Sequence, residues 1–172
     1  MTSEDLLGFI WSRKLWYQER DSGYALAITS NRVVGAPKSA LLDSLEVYLG
    51  PGANVKQNQR ERATMLFVEV MANKNLEVSK DSITRITWKD GGVLDGAHFL
   101  FTTREADFQI DTVAHSDNIQ VVNTVNIILG SLVTLAPDRL YNSKTGALFH
   151  DEMVEKMKKN PRKFKAYDPN LP

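Results

Sequence analysis

Residues Tyr24 to Gly35, YALAITSNRVVG, constrain the fold more than any other stretch of this chain. Tyr24, Leu26 and Ile28 alternate with smaller residues, as a strand with one bulky face requires. Ser30-Asn31 supplies turn chemistry, and Val33-Val34 resumes a β-branched apolar run. Two short strands around a two-residue turn are therefore expected. Such a hairpin anchors an architecture but carries no chemistry of its own.

Around it, Leu6, Leu7, Phe9 and Ile10 are core candidates, in either a helical turn or the approach to a first strand. Leu15 to Glu19 reads as a strand and Arg20 to Gly23 (RDSG) as a turn. After Pro37 the apolar period changes. Leu41, Leu45 and Leu49 recur at helical spacing with Leu42 and Tyr48 beside them, and Gly50 to Gly52 (GPG) ends that helix. Asn54 to Gln59 reads as loop, and Ala63, Leu66, Phe67, Val70 and Met71 mark a second helix.

Strand signals return at Ser82 to Trp88, with an alternation that slips by one residue, and again at Phe99–Thr103 and Phe108–Val113. From about Asp117 to Leu135 the pattern is a long amphipathic helix closed by Ala136-Pro137. Gln120, Asn123, Thr124, Ser131 and Thr134 gather on one side of it, against a wide apolar arc. That arc suits packing on a sheet. A membrane span is disfavoured because Asn123 and Asn126 would enter hydrocarbon without partners. The order of elements, strands then two helices then strands then one helix, predicts an α+β domain with an antiparallel sheet.

The chain has 172 residues, enough for one domain with a sizeable core, and its 42% hydrophobic and 24% charged residues suit a globular protein. Lys plus Arg (21) balance Asp plus Glu (21), so no global field draws it to nucleic acid or anionic lipid. Cysteine is absent, which removes disulfide and thiolate chemistry. The first residues, MTSEDLLGFIWSRK, carry acids where a leader wants bases, so cytoplasmic residence without a transmembrane segment is the expectation. The expected organisation is a domain over residues 1–140, with a helical insertion at about 37–80, and a helical and basic extension over 141–172. In that extension a helix is expected from about Ala147 to Lys159, with Phe149, Met153 and Met157 in one stripe.

The hairpin ALAITSNRVVG, the segment DSITRITWKDGG with its return VLDGAHFLFTT leading to FQIDTV, and the terminal amphipathic helix together resemble the pleckstrin-homology-like domains of bacteria and archaea. The match covers roughly Leu15 to Leu135. It implies a strongly bent sheet, a barrel or split barrel plugged at one end by the last helix. It also implies a non-enzymatic adaptor or self-associating module. The insertion departs from the minimal pattern, and the basic phosphoinositide pocket of the eukaryotic relatives has no counterpart here, so no binding residue is carried over.

Chemistry is sparse. His98, His115 and His150 lie at no metal-ligand spacing, and no nucleophile elbow is present, so no catalytic residue, metal ligand or cofactor is assigned and no enzyme activity is expected. Asp107 and Asp111, four apart on a strand, are either a carboxylate pair for acid–base or cation chemistry or a solvated face. Gly91, Gly92 and Gly96 precede a strand rather than a helix, which suits a hairpin better than a phosphate loop. The tail bears Lys156, Lys158, Lys159, Arg162, Lys163 and Lys165 against Glu155, either an anionic-surface contact or a solvated helix end. Trp16 beside Tyr17 on one strand cannot both point inward, so one is an interface candidate unless the inserted helices cover it. The expected function is protein–protein or self-association through a sheet edge, the inserted helices, or Trp16 and the stripe Phe149, Met153 and Met157. A homo-oligomer fits that reading; a peripheral binder of anionic lipid or nucleic acid through the tail is the alternative.

Overall fold

A computed structural model describes residues 4–17, 20–45, 57–90, 97–112 and 128–159. Eight strands form one continuous ladder: β1 (Leu6–Tyr17), β2 (Arg20–Thr29), β3 (Arg32–Pro37), β4 (Leu76–Ser79), β5 (Ile83–Asp90), β6 (Ala97–Thr103), β7 (Phe108–Thr112) and β8 (Leu140–Asn142). Helices are α1 (Ala40–Ser44), α2 (Gln57–Asn73), α3 (128–135) and α4 (Phe149–Lys159). The strands lie in the order β4-β3-β2-β1-β7-β6-β5-β8. The protein is therefore α+β. Its sheet is open, with β4 and β8 as the outer strands of the ladder, rather than closed into a barrel.

The hairpin forms as its residues dictate: Ile28 pairs with Val33 and Leu26 with Gly35, around Ser30-Asn31. Every residue of β2 from Tyr24 to Thr29 is buried, because both faces are covered. Tyr24, Leu26 and Ile28 enter one apolar cluster with the inner faces of β5–β7 and with α3. Ala25 and Ala27 face a second cluster with Ala36, Ala63, Leu66 and Val70. Small side chains on that face let α2 lie close to the sheet. At Gly35 the sheet is equally tight: an added Cβ would meet Leu76 at 3.3 Å and the Tyr24 ring at 3.5 Å.

One core cluster takes residues from β2–β4, β5–β8, α3 and α4, so the inner sheet face wraps around α3. β1 joins the two halves, pairing with β2 along its length and with β7 from Ser12 to Trp16. Its register shifts between Ser12 and Leu15, where an irregular pairing turns the strand. The slipped alternation in β5 has the same cause, a register shift between Ile83 and Arg85.

Several expectations need correction. Arg20–Gly23 belongs to β2, not to a turn; of the two readings left open for the first residues, Leu6–Ile10 take the strand. Gln57–Gln59 open α2. In α1 the buried side chain is Leu42, whereas Leu41 is 53% exposed; Leu42 N–H donates to Ser39 Oγ (3.2 Å), which caps this short helix. Strand β4 lies inside the stretch expected as insertion, so the helical excursion ends before Leu76. Ser131 faces inward and its hydroxyl donates to the Leu7 carbonyl (3.2 Å), while Thr134 remains exposed.

The largest correction concerns the expected boundary at 140. Leu140–Asn142 pair in parallel with Ile86–Trp88, so the sheet is not wholly antiparallel. Phe149 and Met153, at 0% and 3% exposed, sit in the main core, with the Phe149 ring 4.8 Å edge-on from Trp88. Arg139 fixes this return: its Nη1 donates to the carbonyls of Lys80 (2.6 Å) and Ile83 (2.8 Å). The segments 46–56, 91–96 and 113–127, which hold the GPG stop, the glycine cluster and most of the long-helix signal, lie outside the described residues.

Candidate functional site

Two surface features have chemical or physical content. The first is on the outer face of β5–β7. Cross-strand register places Lys89, His98 and Asp111 in one row and Thr87, Leu100 and Gln109 in the next. A half-open depression of about 410 Å³ is lined by Thr87, Lys89, His98, Leu100, Gln109 and Ser143. Beneath it, the Asp111 side chain is only 9% exposed. His98 Nδ1 lies 2.6 Å from Asp111 Oδ1, and Gln109 Nε2 donates to the same oxygen at 3.0 Å.

A buried carboxylate is tolerated only with such donors. The pairing also fixes the imidazole: with Nδ1–H on the carboxylate, Nε2 is the ring nitrogen left to other partners. Among the described residues the only side-chain hydrogen-bond partner of His98 is Asp111. Asp107 is not part of this group. It is exposed ahead of β7 and accepts the Thr103 N–H at 3.1 Å, so Asp107 and Asp111 are neither an acid–base pair nor a shared solvated face but a turn residue and a buried anchor.

The second feature is apolar. Leu41 on α1 and Met65 and Val68 on α2 are 53%, 57% and 58% exposed. Met65, Val68 and Ala72 recur at helical spacing on the side of α2 opposite Ala63, Leu66 and Val70. Arg62 and Glu69 flank this ridge, and neither forms an ion pair among the described residues. Ordinarily such a helix buries one stripe and solvates the other. Here the outer stripe carries Met65, Val68 and Ala72, with exposed Glu61 one turn before Met65 at its N-terminal end.

The other residues expected at sites are dispersed. Lys158 and Lys159 are exposed, with Lys158 Nζ 3.9 Å from Glu155. The side chains of Lys156, Met157 and Trp16, and all of Arg162, Lys163 and Lys165, lie outside the described residues; the backbone of Trp16 stands opposite Gln109 in the ladder. Phe149 and Met153 are core residues, not surface ones. Among the described residues no group of three His, Cys, Asp or Glu is placed to hold a metal ion, and no helix is long and apolar enough to cross a membrane.

The sequence pattern assigns His98 no role, and its partnership with Asp111 is invisible there. The two are 13 residues apart, and only the β6–β7 register joins them. The chain matches no protein-family model, and no curated protein is similar to it.

Proposed function

We propose that this protein is a non-enzymatic, pleckstrin-homology-like interaction module that self-associates through the outer surface of its inserted helices. The carrying observation is that Met65 and Val68, three apart on α2, and Leu41 on the adjoining α1 are all left exposed. Of the routes open in the sequence, the helices are best supported. The outer strands β4 and β8 span four and three residues, too short to template pairing well, and the Phe149–Met153 stripe is buried. The single ladder curled around α3 is consistent with the bent sheet that the resemblance implies.

The ridge is self-complementary. A two-fold axis crossing α2 between Met65 and Val68 lays Met65 on the partner's Val68 in an antiparallel helix pair. The same symmetry turns Arg62 toward Glu69 of the partner subunit, which supplies the unlike charge. One helix pair buries less than the ~1,600 Å² of a standard interface, so a dimer of roughly micromolar dissociation constant is expected.

Sedimentation velocity across that concentration range tests the proposal. The parent should pass from monomer to dimer, and Met65→Asp with Val68→Asp should stay monomeric with unchanged circular dichroism. Arg62→Glu should weaken the dimer, and adding Glu69→Arg should restore it. A parent that stays monomeric, or a dimer indifferent to both ridge substitutions, would refute it.

A further inference from the structure

The depression on β5–β7 has a sign. Among the described residues no carboxylate lines it, and Asp111, beside His98 in the next strand, has Oδ1 engaged by His98 and Gln109. Cations do line or flank it. Lys89 is exposed and forms no ion pair among the described residues. Arg85, on the same face of β5 four residues earlier, has its guanidinium 4.3 Å above the Tyr141 ring and no carboxylate partner among the described residues.

Between these charges lies Leu100, a large apolar side chain left 40% exposed at the centre of three strands. Thr87 and Ser143 add hydroxyl donors, and His98 Nε2 is held in place from behind. Concave shape, an apolar floor and a few convergent polar groups are the usual makings of a small-molecule site.

We infer that this depression binds a small organic anion, a carboxylate carried on an apolar body. The carboxylate pairs with Lys89 and takes hydrogen bonds from the Thr87 and Ser143 hydroxyls; the body covers Leu100. Asp111 is a positioning residue that orients His98 and Gln109 and keeps its own charge out of the ligand's way. The site is built on β5–β7 and not on the helices of the ridge, and it does not depend on self-association.

Benzoate is the probe, titrated into the full chain and followed by amide NMR. Benzamide has nearly the same shape without the charge, and inorganic phosphate has the charge without the apolar body. Benzoate should shift the amides of Thr87, Lys89, His98, Leu100 and Gln109 saturably, in roughly the millimolar range. Benzamide and phosphate should bind about tenfold more weakly, and Lys89→Met should weaken benzoate by a similar factor. The Lys89→Met spectrum should otherwise match the parent, which separates lost binding from lost fold. The inference fails if benzoate produces no saturable shift at these amides or shifts those around Met65 and Val68 instead. Equal binding of benzamide or phosphate, or undiminished binding by Lys89→Met, would also overturn it.

Discussion

Thr29 and Arg32 show how much two residues contribute to one hairpin. The Thr29 hydroxyl is a buried hub: it accepts the N–H groups of Asn31 (3.2 Å) and Arg32 (3.0 Å) and donates to Glu4 Oε1 (2.6 Å). Arg32 grips Glu4 with Nε and Nη2, at 2.8 and 3.0 Å, and reaches Glu77 with Nη1. The first strand, the hairpin and the edge strand are thereby joined. The Arg32 guanidinium, with help from Thr29, holds the Glu4 carboxyl below its ordinary 4.5, and Lys74 and then Arg32 lower Glu77 likewise. A carboxylate lowered in the folded state stabilises the fold above its ordinary pKa and loses that contribution as pH falls through the folded value. Replacing Glu4 by Gln should therefore cost about 1 kcal/mol at neutral pH, where the forked Arg32 pair is intact. Urea denaturation of both proteins at pH 7 and pH 3 checks this. The gap should close at the acid pH, and an undiminished gap would assign Glu4's role to shape instead of charge.

At the scale of elements, the amphipathic logic of α2 was legible: Ala63, Leu66 and Val70 are buried, with Phe67 and Met71 packed beside them. Strand β4 was not legible, because LEVS is too short and too polar to stand out from its surroundings. Its identity comes from pairing with β3, where Leu76 and Val78 find covered positions. Helix α4 was found, but its role was misjudged. A stripe of Phe149, Met153 and Met157 is equally good for a partner or for the protein's own core, and only the β8 return brings Phe149 onto Trp88. Phe149→Ala should accordingly cost about 3–5 kcal/mol, the range for emptying a buried aromatic site. Met65→Ala, on the exposed ridge, should lie within about 0.5 kcal/mol of the parent. Guanidinium unfolding of the two variants side by side distinguishes a core α4 from an appended one; equal, small effects would return it to the surface.

For the whole molecule, the expected division at residue 140 implies that a chain ending at Asn142 folds like the parent. The packing implies otherwise. Removing α4 strips Phe149 and Met153 from the cluster that also contains α3 and the inner faces of β5–β7. Such a chain should lose its near-ultraviolet circular dichroism and its cooperative thermal transition. A cooperative transition in the shorter chain would restore the boundary. What residue pattern alone determined here is local: the hairpin at Ser30-Asn31, the face of α2, the positions of β5–β7, and the mixed α+β class. These follow from turn chemistry and apolar period, which act over a few residues. The open eight-strand order, the parallel β8, the Asp111 anchor beneath His98 and the inward turn of α4 were decided only in three dimensions. Each depends on which distant segments share a face, and that is fixed by the joint burial of one core wrapped around α3.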